Sequence, residues 1–359
     1  MSRSEQAFLL LLRSGLWEND IADLSLFPLS EEEWAEVLQM SERQTVQGLL
    51  YRGFQHLPEH LFPPQSLVWR WVAIASRLEK EYRQCATCVA ATFSQLEAAG
   101  VQPVLQKGLA VARYYEHPEL RVNGDIDWWV DSSKMKGLDV KIDHPFQEDI
   151  EVDLHNQLFD LERPRHKRAV RQLQAQIEEM TVLSATRVRV PTPMPTLVML
   201  NAHVMKHTFT VGVGLRQFCD MARAYHRLYG QYDADVLSDT YHQTGLWRWS
   251  ELLHLFLIEY LGMSAHELPM PAPTQPRDCQ RLFRQVLRDG NFGHYTTHWQ
   301  GAHANGRNRW HTVRQIICRL PFSLRYAPTE MLFKVVTLSR MTKTKRKTKT
   351  KANNEDDNE

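Results

Sequence analysis

The sequence lacks the features that would assign it quickly to several classes of protein. No run of about 18 apolar residues occurs, which argues against a membrane-spanning helix. The first residues carry neither a cationic segment nor a cleavage site, so we expect no secretory signal. Net charge is nearly absent too, because 43 Lys and Arg residues face 42 Asp and Glu residues. With an ordinary hydrophobic fraction of 43%, these absences predict a folded cytoplasmic protein.

Cysteine is scarce, and its spacing argues against a cysteine-based site. The five cysteines include one Cys-x-x-Cys pair, Cys85 and Cys88, and three others far apart in the chain. A structural zinc site would need a second nearby pair or histidines in register. A redox pair would need a βαβ context, whereas Cys85 falls inside a helical pattern. We therefore expect reduced thiols.

Several common catalytic motifs are also missing. The GxxxxGK[ST] pattern of a P-loop does not occur, and Gly212-Val213-Gly214 lacks the third glycine and the preceding strand of a dinucleotide-binding fingerprint. His203 and His207 are spaced i, i+4, but the glutamate of an HExxH motif does not follow the first of them. These two histidines have three possible roles: they line a binding cleft, pack as partly buried polar groups or ligate zinc.

The pattern of apolar residues and charges divides the chain into four regions. We predict an N-terminal helical region over 1–100, an α/β core over 101–192 and a C-terminal helical region over 193–339. The tail, 340–359, carries seven cations followed by four anions and almost no apolar residues, which predicts disorder. The tail is either a solvated end without a partner or a segment that binds RNA or anionic lipid.

Local signals predict several individual elements. Ser30 and Glu33 stand three residues apart before an apolar pattern, which predicts a capping box. Gly100 ends a long helix that begins near residue 66. Residues 163–180 have the pattern of a basic amphipathic helix, whereas 270–310 are predicted to be loosely structured.

The segment Gly124-Asp125-Ile126-Asp127 is the centre of the functional interpretation. In a strand, residues i and i+2 point to the same face, so Asp125 and Asp127 lie side by side, about 7 Å apart at the backbone. Two such anions repel each other unless a cation lies between them, and Mg²⁺ prefers oxygen ligands. A solvated edge strand is the alternative for this pattern.

A second predicted strand adds a third carboxylate. Glu151, Asp153 and His155 alternate with apolar residues and so share one face. A carboxylate on a strand beside Asp127 would complete a site for divalent metal ions. We favour Asp153 as the metal ligand and a solvent-facing role for Glu151.

Basic residues near these acids could contact phosphate groups. Gly108 lies where a strand turns into a short helix, and Lys107 adds a positive charge. Arg121 is either a phosphate clamp or one half of a surface ion pair with Glu116 or Glu119. Arg216 and Asp220, spaced i, i+4, are predicted to form an ion pair.

Taken together, these motifs resemble the uncharacterised nucleotidyltransferase family of the DNA polymerase β-like superfamily. The resemblance covers roughly residues 5–330 and rests on the following segments: Gln106-Lys107-Gly108-Leu109-Ala110, Tyr114-Tyr115, Pro118, Arg121, Gly124-Asp125-Ile126-Asp127, Val152-Asp153-Leu154-His155, His203, His207, Gly214-Leu215-Arg216 and Asp220.

The resemblance implies an α+β fold in which a small mixed sheet is flanked by helical regions. It also implies transfer of a nucleoside monophosphate from an NTP to an unknown acceptor, with release of pyrophosphate and with Mg²⁺, or Mn²⁺, as the cofactor. The site residues that it implies fall into two groups. The catalytic metal ligands are Asp125, Asp127 and Asp153, and the nucleotide-binding residues are Lys107, Gly108, Arg121, His203 and His207.

Two other functions stay open at this point. The superfamily usually has serine where this chain has Leu109, and the 26 residues from Asp127 to Asp153 form a short interval for the family. These departures favour, as an alternative, a catalytically inactive nucleotide-binding or scaffold protein of the same fold. The basic tail favours RNA binding as a second alternative. The acceptor and the oligomeric state cannot be read from the sequence.

Overall fold

The computed structural model describes residues 1–131, 150–183, 186–272, 276–291 and 307–334. It confirms the predicted α+β class, with one mixed five-stranded sheet and helices on its flanks. Among the helices in these ranges, none combines the length and the apolar character that a membrane span requires. The tail over 340–359 lies outside the described residues.

Most of the α-helices come before the first strand or after the last strand in the sequence. The α-helices are α1 (Arg3–Trp17), α2 (Glu31–Gln44), α3 (Gln47–Gln55), α4 (Gln65–Ala98), α5 (Leu109–Ala112), α6 (Pro164–Ala169), α7 (Pro193–Phe209), α8 (Leu215–Leu228), α9 (Ala234–Thr244), α10 (Trp247–Leu261), α11 (Pro276–Asp289) and α12 (Arg307–Tyr326), and residues 328–334 are helical as well. Short 3₁₀ turns lie at Glu59–Leu61, Pro118–Leu120, Arg171–Ala175 and Ala265–Glu267.

The sheet brings segments from the middle of the chain together. Its strands are β1 (Val104–Leu105), β2 (Ile126–Trp129), β3 (Val152–His155), β4 (Ile177–Val182) and β5 (Thr186–Pro191). Their order across the sheet is β3-β2-β1-β5-β4. β2 runs parallel to β3 and antiparallel to β1, while β5 runs parallel to β1 and antiparallel to β4. β2, which carries the paired acids, is therefore an inner strand.

Two predicted helix boundaries are confirmed by their capping geometry. The hydroxyl of Ser30 accepts the backbone N–H of Glu33, and the carboxylate of Glu33 accepts the backbone N–H of Ser30. The long helix α4 ends before Gly100, which has a φ of 76°. Such a left-handed residue ends a helix without strain when it is glycine.

Two predicted segments differ from the observed ones. Residues 163–180 were predicted as one helix, but α6 covers only the first part, and β4 begins at Ile177 and pairs along its whole length with β5. Here the pairing with a neighbouring strand overrides a local helical pattern. Within 270–310, α11 is a regular helix whose buried apolar side chains are Cys279, Leu282, Phe283 and Val286, at helical spacing. Residues 292–306 lie outside the described part of the chain.

The apolar side chains form two cores. The larger one joins the N-terminal helices α1 to α3 with α7 to α11, so the two helical regions share a single core. The smaller core lies between the sheet and the second half of α4. The predicted limits of the four regions remain predictions. The five cysteines form no disulfide, and Cys85 and Cys88 are buried on α4.

Candidate active site

Burial of alternate residues orients the acids of β2. Ile126 and Trp128 are almost fully buried in the smaller core, where the indole N–H of Trp128 donates to the hydroxyl of Thr92, 3.0 Å away. Because side chains alternate along a strand, Asp125 and Asp127 point to the opposite face. The predicted side-by-side arrangement of these two carboxylates follows from this burial.

The parallel register with β3 supplies the third acid. Asp127 is directly opposite Asp153, and Trp129 is opposite His155. Ligand atoms of Asp127, Asp153 and His155 all lie within 4.8 Å of one another. Nε2 of His155 is 2.6 Å from Oδ1 of Asp127. We call Asp125, Asp127, Asp153 and His155 the acidic cluster.

Electrostatic interactions differ between the two acids of β2. The pKa of Asp125 is raised, first by burial and then by the negative charges of Asp127 and Asp153. Burial also acts to raise the pKa of Asp127, but the hydrogen bond with His155 and the charge of Lys107 outweigh it, and the pKa is lowered. The cluster is thus an anionic site with only partial internal compensation.

The turn between β1 and α5 brings a cation to this cluster. Nζ of Lys107 is 3.3 Å from Oδ1 of Asp127. Gly108 follows with a φ of 61° and a ψ of −115°, which an L side chain adopts only with strain. A Cβ atom at Gly108 would lie 3.5 Å from the carbonyl oxygen of Asp125, so this turn lies directly against the start of β2.

An open cavity of about 400 Å³ lies beside the cluster. Its walls come from the β1–α5 turn, the segment 121–127, the end of β3, and helices α7 and α8. Asp125 and Asp127 line it, whereas Asp153 does not. A second cavity, of about 480 Å³, lies between α1, α2, α10 and α11 and contains none of the predicted site residues. We therefore take the first as the candidate active-site cavity.

The two histidines of α7 line the active-site cavity. Their ring centroids are 4.3 Å apart, and Nδ1 of His203 is 2.8 Å from Oδ2 of Asp160. Lys206 donates to the other oxygen of Asp160 at 2.6 Å. Burial is the main reason why the pKa values of both His203 and His207 are lowered. Within the described residues, neither histidine belongs to a group of three potential metal ligands, so the zinc interpretation gains no support.

Arg121 has a partner that the sequence did not indicate. Its guanidinium makes two hydrogen bonds to Asp220, of 2.7 and 2.8 Å, and both side chains are 6% exposed. The hydroxyl of Tyr115 donates to the same carboxylate at 2.8 Å. The predicted surface pair with Glu116 or Glu119 is wrong, because Glu116 pairs with arginines of α8 and Glu119 with a neighbouring histidine. Direct phosphate contact by Arg121 stays a prediction, although Nε and Nη2 of its guanidinium already donate to Asp220.

The predicted ion pair between Arg216 and Asp220 is also wrong. Asp220 is engaged by Arg121, and no carboxylate of the described chain lies within ion-pair distance of Arg216. Nη1 of Arg216 donates instead to the carbonyl oxygen of Val122 at 2.8 Å. Arg216 lines the active-site cavity, and its charge acts on Asp125.

Comparison with known proteins gives one finding. A family model described as an uncharacterised nucleotidyltransferase matches residues 30–262. This range includes the acidic cluster, the β1–α5 turn and both helices, α7 and α8, that line the cavity. No curated protein and no solved structure matches the chain.

Proposed function

The chain belongs to the uncharacterised nucleotidyltransferase family, and from that premise we propose that it transfers a nucleoside monophosphate from an NTP to an acceptor. The carboxylates of Asp125, Asp127 and Asp153 beside an open cavity are the observation that carries this proposal. The family supports nucleotidyl transfer in general terms. The NTP, the acceptor and the metal are our inference.

The residues of the acidic cluster fit a hard divalent cation. Carboxylate oxygens are the ligands that Mg²⁺ and Mn²⁺ prefer, and His155 offers a nitrogen to Mn²⁺ in the same place. The raised pKa of Asp125, caused first by burial and then by its neighbours Asp127 and Asp153, reflects a repulsion that a cation would relieve. We assign the metal to Asp125, Asp127 and Asp153, where it would neutralise charge that develops on the phosphates.

The other residues of the cavity have roles in binding the nucleotide. Lys107 and the backbone at Gly108 would hold the phosphates, since both lie against the start of β2. His203 and His207 would line the nucleotide on the α7 side, with His203 held in place by Asp160. We assign Arg121 to positioning, because its bidentate pair with Asp220 anchors the segment that leads into Asp125.

The transfer forms a bond between an acceptor oxygen and the α-phosphorus and breaks the bond to the β-phosphate oxygen. Pyrophosphate leaves with the electron pair, and the acceptor loses a proton. We propose the carboxylate of Asp153 as the proton acceptor. The carboxylate of Asp127 is engaged by His155 and Lys107, whereas the carboxylate of Asp153 has no hydrogen bond or ion pair within the described residues.

A test of this function uses labelled substrates and matched variants. The protein is incubated with each α-phosphate-labelled NTP, Mg²⁺ and a cell extract, and labelled acceptors are sought. Asp127→Asn and Asp153→Ala should abolish labelling, whereas Glu151→Ala, two residues away on the same face and exposed, should retain most of it. Equal labelling by wild type and Asp127→Asn would contradict the assignment.

A nucleotide-binding protein without catalysis is the second candidate. Leu109, where the superfamily usually has serine, is buried in the smaller core and so serves packing. This candidate predicts Mg²⁺-dependent NTP binding in the absence of any labelled acceptor or released pyrophosphate. RNA binding through 340–359 and a cytoplasmic location stay predictions, since neither follows from the described part of the chain.

A further inference from the structure

Arg216 carries a positive charge for which the described chain offers no ion-pair partner. Its Nε atom is buried and has no hydrogen-bond partner, and its one side-chain hydrogen bond goes to the neutral carbonyl of Val122. Asp220, the acid one turn further along α8, is bound by Arg121 and Tyr115. Arg216 is therefore a cation at the cavity wall, and the acid one turn along its own helix is bound by other side chains.

This arrangement lowers the stability of the folded protein when no ligand is bound. Arg216 is partly buried, and taking a charged side chain partly out of water without an ion-pair partner costs free energy; the like charge of Arg121 adds repulsion. Burial, followed by the charge of Arg121, lowers the pKa of Arg216 to about 10. Unfavourable local features of this kind are expected where a ligand supplies the missing group.

The position of Arg216 indicates the chemical class of the anionic ligand that would pair with it. Arg216 on α8 and Lys107 in the β1–α5 turn line the same cavity as Asp125 and Asp127, and Nζ of Lys107 is 3.3 Å from Asp127. A ligand with several anionic oxygens can contact both cations at once. A triphosphate has this chemistry, and an arginine fork matches phosphate oxygens.

We propose that Arg216 binds the triphosphate of the NTP and is the phosphate-binding arginine of this site. The inference rests on the proposed function. Arg121 then supports Arg216 indirectly, because Arg121 occupies Asp220, the carboxylate one turn further along α8 from Arg216.

A purely structural role for Arg216 gives the opposite expectation for stability. If Arg216 served only to hold Val122, its removal would lower the melting temperature and leave nucleotide affinity unchanged. Under our proposal, removal of a partly buried charge that has no ion-pair partner in the described chain leaves the melting temperature of the ligand-free protein unchanged or raises it, while nucleotide affinity falls. Gains in stability at the cost of function are typical of binding residues.

The experiment measures binding of a fluorescent ATP analogue in the presence of Mg²⁺ by anisotropy. Arg216→Gln should weaken binding about ten- to a hundredfold, the range expected for loss of a charged hydrogen bond. Arg216→Lys should be intermediate, because lysine keeps the charge but lacks the fork. The control is Arg227→Gln, the same change on the same helix, at a side chain that is 45% exposed and outside the cavity. It should bind as the wild type does.

Inorganic tripolyphosphate, used as a competitor, distinguishes phosphate contact from contact with the base or ribose. Its affinity should fall by the same factor in Arg216→Gln. Unchanged ATP affinity, unchanged tripolyphosphate affinity, or a lowered melting temperature of the ligand-free Arg216→Gln variant would each overturn the proposal. Absence of Mg²⁺-dependent ATP binding in the wild type would overturn the proposed function instead, while tripolyphosphate binding that depends on Arg216 would still support the anion site.

Discussion

Replacement of Asp220 by Asn should destabilise the protein strongly. The carboxylate is 6% exposed and accepts two hydrogen bonds from Arg121 and one from Tyr115. Asparagine has nearly the same shape but no charge, so the variant would leave the guanidinium of Arg121 buried without a counter-charge. Breaking a buried ion pair by removing one partner costs about 3–5 kcal/mol. Arg216 would lose the favourable charge of Asp220 at the same time, and its repulsion with Arg121 would remain.

The pH dependence of this loss has a definite sign. Burial acts to raise the pKa of Asp220, but the charge and hydrogen bonds of Arg121 outweigh it, so the folded-state pKa lies below the ordinary value of 3.8. A lowered pKa of an acid contributes stability that is fully present above the unfolded pKa and is lost as pH falls through the folded pKa. The difference between wild type and Asp220→Asn should therefore be largest near neutral pH and shrink in strong acid.

Urea denaturation at neutral pH, followed by circular dichroism, measures the free energy of unfolding of both proteins. Asp239→Asn on α9 is the matched control, since Asp239 is exposed, and it should change that free energy by about 0.5 kcal/mol or less. The double variant Arg121→Met with Asp220→Leu should lose much less than the two single variants together. A cost below about 1 kcal/mol for Asp220→Asn would refute the reasoning about a buried, structurally required pair.

Three further predictions concern the site and the tail. Asp125→Asn should raise the melting temperature of the metal-free protein at neutral pH, because a raised pKa means that ionised Asp125 costs stability as pH rises above 3.8. Thermal melts at acid and neutral pH, with and without Mg²⁺, check this. They should show no added stabilisation of the variant by Mg²⁺. Gly108→Ala should cost about 1–2 kcal/mol in urea unfolding, because its φ is positive, and should weaken nucleotide binding measured by anisotropy. Deletion of 340–359 should leave the melting temperature and Mg²⁺-dependent NTP binding unchanged, while binding to RNA or anionic lipid, measured over a salt series, should be lost from the truncated protein.

The acids of the candidate site could be predicted because their signal is local. Alternation along a strand is enough to place Asp125 and Asp127 on one face, and the alternation from Val152 to His155 gives the face of Asp153. Only the pairing of β2 with β3 had to be supplied by the resemblance to a family. His155 shared that face in the sequence, but nothing local showed that it would lie against Asp127.

Partner choice over long sequence distances could not be predicted. Asp220 pairs with Arg121, 99 residues away, rather than with Arg216, four residues away, because Arg121 enters the core beside it. Asp160 was missed altogether, since its partners His203 and Lys206 lie 43 and 46 residues further along the chain. The strand β4 was missed for a similar reason, because pairing with β5 decides its structure.

The most direct test of nucleotidyl transfer compares the position of the label that reaches the acceptor. The protein is incubated with Mg²⁺, a cell extract and an NTP labelled on either the α- or the γ-phosphate. We predict that label from the α-phosphate appears on an acceptor, that label from the γ-phosphate leaves as pyrophosphate, and that both depend on Asp127. Transfer of the γ-phosphate to an acceptor, or α-label transfer that persists in Asp127→Asn, would contradict the account.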